Sequence, residues 1–151
     1  MSEREIKLSY IAGLIDGEGC IGMYLNSHNG NYQLRLSIEM TIKSGLDLVY
    51  EVFGGKWYYR PPCVPTREKY TIMLFNKEAF FALKELEKYL IVKKEHAKII
   101  QEADWVSFKN KKMTDEQQLI RVSVSNRIKE LNTRGYYGEN TKSERKSWSK
   151  K

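Results

Sequence analysis

An apolar run, Ile11-Ala12-Gly13-Leu14-Ile15, leads into Asp16-Gly17-Glu18-Gly19 and then, with no linker, into the strand-like segment Cys20 to Leu25. Few folds accommodate that sequence of events. Gly13 and Gly17 stand four residues apart, so on a helix they share one face. Small residues at that spacing let a second helix approach backbone to backbone. The helix must stop at Glu18, which delivers a carboxylate to the place where the two helices meet. If the second helix is an identical copy, two carboxylates face each other across a two-fold axis. Such a pair is a natural seat for a divalent cation with oxygen ligands and retained water.

The bulk properties narrow the partner. At 151 residues and 41% hydrophobic content, the chain is read as one domain with a real core. Lys and Arg number 26 against 19 Asp and Glu, a net charge of +7 that favours a polyanionic partner. Two cysteines, Cys20 and Cys63, are too few for a disulfide framework, and His28 and His96 stand apart from any zinc-like spacing. The charged start, Met1 to Glu5, has no signal-peptide core, and no stretch nears the roughly 20 apolar residues of a membrane span. The expectation is an intracellular protein, in the cytoplasm of a prokaryote or in an organelle, with no membrane partner.

The elements follow from periodicity. Ser2 with Glu5 makes a capping box for a helix from Glu3 to Gly17, with Ile6, Tyr10, Gly13, Leu14 and Gly17 on one stripe. A strand from Cys20 to His28 alternates Ile21, Met23 and Leu25 with Gly22, Tyr24 and Asn26. The Asn29-Gly30 turn then leads to the cleanest alternation in the chain. There Leu34, Leu36, Ile38, Met40 and Ile42 point one way; Gln33, Arg35, Ser37, Glu39 and Thr41 point the other. Ser44 is expected to cap a second helix ending at Gly54-Gly55. Lys56 to Arg60 and Glu68 to Phe75 read as two more strands around a proline-rich loop. Asn76 is expected to cap a helix from Ala79 to Tyr89. Further helices are expected from Lys93 to about Phe108 and from Thr114, where Gln117 completes a second capping box. The domain is drawn at 1–132. Residues 133–151 read as a basic, flexible tail that could also gain phosphate contacts on nucleic acid.

One face of the four strands is apolar and suits helix packing. The other carries Tyr24, Asn26, His28, Gln33, Arg35, Ser37, Glu39, Thr41, Lys69 and Thr71. These are side chains that hydrogen-bond to base edges and phosphates, and a β-ribbon fits a major groove. On the third strand, Lys56, Tyr58 and Arg60 are assigned to that face, which leaves Trp57 and Tyr59 for the core.

On the nonapeptide Ile11 to Gly19, the strand and helix order and the Phe53-Gly54-Gly55 helix ending, the chain resembles the LAGLIDADG homing endonucleases over roughly residues 3 to 108. The resemblance implies an α+β fold of order αββαββα, with a curved four-stranded antiparallel DNA-binding sheet and extra C-terminal helices. With one motif copy, it implies a homodimer acting on a near-palindromic site. It implies magnesium or manganese held by Glu18 and by the backbone carbonyl at or next to Gly17. It implies catalytic roles for Glu18 and Lys93, with Lys94 the alternative to Lys93. It implies a dimer contact through Ala12, Gly13, Asp16 and Gly17, with Asp16 closing the helix end. The product would be a double-strand break with short 3′ overhangs. One position departs from the pattern: Ile42 stands before Lys43 where the family often has a water-ordering Gln, which leaves that task to Glu39 or Thr41. The same fold also serves as an RNA-splicing maturase on intron RNA or as a non-catalytic DNA-binding protein. No Ser/His/Asp or Cys/His pairing points to an unrelated enzyme.

Overall fold

The computed structural model describes residues 1–103 and 113–137. In chain order these form α1 (Glu3–Glu18), β1 (Gly19–Leu25), β2 (Tyr32–Met40), α2 (Ser44–Phe53), β3 (Lys56–Arg60), β4 (Lys69–Phe75), α3 (Asn76–Leu86), α4 (Lys94–Ile100) and α5 (Asp115–Tyr137). The strands make one antiparallel sheet of order β1-β2-β4-β3. This is the α+β arrangement that the sequence implies. None of the described helices is long and apolar enough to cross a membrane.

The capping box at Ser2 forms as expected. Its hydroxyl accepts from the Glu5 N–H at 3.2 Å, and the Glu5 carboxylate accepts from the Ser2 N–H at 2.7 Å. The α1 periodicity then resolves into two faces. Leu8, Ile11, Ala12 and Ile15 enter the core, while Ile6, Tyr10, Gly13 and Gly17 are exposed. The helix turns into β1 within one residue. Gly19 permits this, because a Cβ there would lie 2.6 Å from the Ile15 carbonyl oxygen.

Helices α1, α2 and α3 pack against β2 and β4. The core they enclose includes Leu34, Leu36, Ile38, Ile72 and Leu74 from the sheet, and Ile11, Ile15, Leu46, Val49, Leu83 and Leu86 from the helices, all essentially inaccessible. Each such side chain contributes about 1.5–3 kcal/mol of burial. At the far edge, α5 lies against β1, where Val124 and Ile128 are buried. Among the described residues β1 pairs only with β2, so its outward carbonyls need other donors. Asn132 of α5 supplies one, donating to the Ile21 carbonyl at 3.0 Å. The second capping box, Thr114 with Gln117, also forms.

Several boundaries differ from expectation. Strand β1 ends at Leu25, whose side chain is exposed rather than packed, and β2 ends at Met40, leaving Ile42 exposed in the connection to α2. Ser44 is the first residue of α2 and makes no cap bond; Lys43 occupies the cap position. Asn76 does not cap α3 either. It opens the helix at φ 45° and turns its amide across the sheet, where Oδ1 accepts from the Leu34 N–H at 3.0 Å. Helix α4 covers Lys94–Ile100, and the part expected to reach Phe108 lies largely outside the described residues. The border drawn at 132 falls inside α5, and residues 138–151 of the tail lie outside the described residues.

Candidate active site and nucleic-acid face

Cross-strand register fixes which side chains share the face away from the helices. Gly22, Arg35 and Phe75 are neighbours across β1, β2 and β4; Cys20, Ser37, Met73 and Lys56 form the next row. Glu39, Thr71 and Tyr58 form a third, and Arg60 pairs with Lys69. Tyr24 pairs with Gln33 at the other end. The expected residues Tyr24, Gln33, Arg35, Ser37, Glu39, Lys56, Tyr58, Arg60, Lys69 and Thr71 therefore do share a face. Alternation also puts Cys20, Met73 and Phe75 there, residues whose polarity does not announce it.

Not every member presents a free polar group. Thr71 is nearly enclosed between its row neighbours, and its hydroxyl lies 3.5 Å from the Glu39 carboxylate. Lys69 donates to Glu39 at 2.5 Å, and that bond is the main cause holding the Glu39 carboxyl below its ordinary value. Asn26 spends its amide oxygen on the turn, accepting from the His28 N–H at 2.9 Å; His28 is exposed beyond the strand. On β3, Trp57 packs against the core as expected, but Tyr59 does not. It belongs to an edge strand that no described element covers, meets the Tyr70 ring at a tilt with centroids 5.2 Å apart, and is 55% exposed.

At one end of this face α1 delivers Glu18. It lines a cleft of about 410 Å³ with Glu39, Met40, Thr41 and Lys69. Ile42, next in sequence to Thr41, is not among the lining residues. The cleft thus gathers two carboxylates, an ammonium and a hydroxyl at the junction of helix and sheet. Among the described residues no cluster of three His, Cys, Asp or Glu side chains could hold a metal ion alone. Magnesium does not require one, since it commonly takes one or two carboxylates, several waters and substrate phosphate. The oxygen donors of Glu18 and the adjacent backbone fit that habit.

Asp16 is engaged from the other side of the helix end. Its two carboxylate oxygens accept from the backbone N–H groups of Ile91 and Lys93, each at 2.8 Å. The Lys93 ammonium donates back to the Asp16 carbonyl at 2.9 Å. One acidic residue therefore pins the loop before α4 to the end of α1 and fixes the Lys93 ammonium at the last turn of that helix. Lys94 is the first residue of α4 and has no such bond among the described contacts. In the loop that Asp16 holds, Ile91 and Val92 are 84% and 69% exposed. A Cβ built on Gly13 or Gly17 would meet no atom within 4 Å. Ala12 is the exception in the expected dimer contact: it has no exposed surface and belongs to the protomer's own core.

Behind the site, burial lowers the His96 imidazole below its ordinary value. Its Nε2 pairs with the Asn132 amide oxygen at 2.9 Å, and its Nδ1 has no hydrogen-bond partner among the described residues.

No protein-family profile matches the sequence, and no curated protein matches it. Solved structures do. The archaeal intron-encoded homing endonuclease I-Vdi141I, complexed with DNA, superposes with a TM-score of 0.67 at 18% identity, covering 85% of this chain and 86% of that one. The homing endonuclease I-CvuI, in complex with a DNA target, gives 0.64 at 17% identity over 91% of this chain and 85% of that one. The LAGLIDADG meganuclease I-AabMI, bound to uncleaved DNA, gives 0.57 at 20% identity over 78% of this chain but 43% of its own. The chain has the LAGLIDADG homing endonuclease fold.

Proposed function

We propose that this chain is a site-specific double-strand DNA endonuclease that works as a homodimer on a long, near-palindromic site. The observation that carries the reading is the position of Glu18. It stands exposed in a cleft where an open glycine-bearing helix face meets a polar, largely basic sheet face. The first face suits a second copy and the second suits a duplex. The neighbours of this fold that are complexes with DNA support the same partner. Such a partner implies a compartment that holds DNA, the cytoplasm of a prokaryote or an organelle.

In this reading Glu18 and the Gly17 carbonyl of each protomer would hold magnesium at the cleft. Bound there, the ion supplies charge at the phosphate and lowers the pKa of the attacking water. Glu39 and Thr41 are the cleft groups able to hydrogen-bond that water, in place of the side chain missing at Ile42. Lys93, tethered to the Asp16 carbonyl, offsets negative charge that grows in the transition state. Two sites close to the dimer axis would cut across the minor groove and leave the short 3′ overhangs that the resemblance implies. Asp16 keeps its carboxylate for the loop and stays out of the chemistry.

The test is cleavage of a genomic or randomised duplex library with magnesium, wild type against Glu18→Gln. The expected result is cutting at one near-palindromic sequence by wild type, and binding without cutting by the variant. Cutting by Glu18→Gln at the wild-type rate, or specific binding by wild type with no cutting in magnesium or manganese, overturns the assignment.

A further inference from the structure

We propose that Arg35 reads a guanine in each half-site, and that Tyr24 and Phe75 form an aromatic clamp that holds it for that task. The inference rests on the DNA-endonuclease reading above and names a specificity determinant within it. Arg35 lies in mid-sheet on β2, flanked in register by Gly22 of β1 and Phe75 of β4. Its guanidinium carbon stands 4.3 Å from the centroid of the Tyr24 ring and 5.5 Å from that of Phe75. Tyr24 can lean over the strand because Gly22 has no side chain; a Cβ there would come within 2.9 Å of the Tyr24 ring.

Two rings around a cation restrict its plane and its position. An arginine held this way loses its rotamer freedom on folding, before any ligand arrives. The charge is also unspent. None of the ion pairs among the described residues involves Arg35, and its buried Nε has no hydrogen-bond partner. Lys69 on the same face makes the contrast, since Glu39 already engages it. A phosphate contact needs only a positive charge on a flexible stem. A fixed, planar fork of donors instead matches the O6 and N7 acceptors on the major-groove edge of guanine.

The sheet also gives a place for the guanine. Arg35 precedes Glu39 by four residues on β2. At about 3.3 Å per residue that is ~13 Å, or about four base pairs along a strand that follows the groove. The guanine therefore lies about four base pairs further from the symmetry axis than the pair facing Glu39.

The experiment selects bound sequences from a randomised duplex library with calcium in place of magnesium, using wild type, Arg35→Lys, Tyr24→Leu and Phe75→Leu. Folding of each variant is checked by thermal melting. Wild type is expected to enrich one strongly guanine-restricted position per half-site. Arg35→Lys, which keeps the charge, should relax that position by roughly 5- to 150-fold and leave the other positions intact. The two clamp variants should relax the same position partially. Uniform weakening by Arg35→Lys with base preferences unchanged overturns the inference and leaves the endonuclease reading standing. If folded wild type enriches no sequence at all, the endonuclease reading falls and this inference falls with it.

Discussion

Replacing Gly13 by leucine separates the protomer's own interests from those of a dimer. Glycine inside a helix costs about 0.8–1.0 kcal/mol relative to alanine, and leucine lies near alanine on that scale. A Cβ at Gly13 meets nothing within 4 Å, so the protomer gains nothing from the glycine. Gly13→Leu should therefore stabilise the isolated protomer by about 0.5–1 kcal/mol. For a domain of this size that is about 1–4 °C in melting temperature. In a dimer whose helices cross at Gly13 and Gly17 the sign reverses. Overpacking costs about 1–3 kcal/mol per inserted group, and symmetry inserts two, so dimer affinity should fall by at least about 30-fold. Sedimentation velocity over a concentration series measures the second effect. Urea unfolding under conditions where both proteins are monomeric measures the first, free of mass-action stabilisation by dimer. A Gly13→Leu protein that dimerises as tightly as wild type would refute the assignment of this face. So would a wild type that stays monomeric at every concentration.

Asp16→Asn should cost about 1.5–3 kcal/mol, because an amide NH₂ replaces one of two oxygens that each accept a backbone N–H; urea unfolding at fixed protein concentration checks it, and a change under about 0.5 kcal/mol rejects the pinning role. Asn76→Ala should destabilise more than Asn76→Gly. Both leave the Leu34 N–H unpaired at about 1–3 kcal/mol, but only alanine adds about 1–2 kcal/mol for the left-handed backbone at φ 45°; equal midpoints for the two would count against that strain. Burial lowers the His96 pKa below 6.5, so the unfolded chain takes up the proton first. Stability from this group is then complete above the unfolded value of 6.5 and is lost as pH falls through it toward the folded value. His96→Gln, which keeps a donor for Asn132, should flatten the change in unfolding midpoint between about pH 7.5 and about pH 5.5; an unchanged slope would reject the role of His96 in it.

Much of the architecture was readable because it depends on local rules. Ser2 with Glu5 and Thr114 with Gln117 form as capping boxes. The strict alternation of β2 alone sorts core from groove for its own strand, and register carries that sorting across the sheet. The misses come from tertiary context. Alternation puts Tyr59 on the packed face, but no pattern in the sequence says that β3 is an edge with no described element above that position. Ala12 sits one residue from Gly13 yet a helical step of 100° turns it into the core. Asn76 looks like a cap because asparagine usually is one; here a partner 42 residues away claims its amide. Asp16 was legible as a structural residue, but its hold on Lys93 spans 77 residues and has no sequence signature. Cys20, Met73 and Phe75 carry no strong hydrogen-bonding group, so only strand register, not side-chain chemistry, marks them as part of that face.

The two margins of the sheet are guarded by different means. Along β1, α5 lies as a cover and Asn132 occupies an outward carbonyl. On the side of β3 away from β4 no described element pairs, and the strand is only five residues long, with Lys56 and Arg60 exposed at its two ends and a Pro61-Pro62 step directly after it. Short length, proline and like charges are what keep an open margin from recruiting another chain as an extra strand. Of these defences the charge alone is sensitive to the medium. Concentrated salt shortens the range of that repulsion while leaving the aromatic side chains of Tyr58 and Tyr59 as sticky as before. Stored in brine or precipitated with it, this protein should self-associate through β3, and the covered margin at β1 should stay out of the contact.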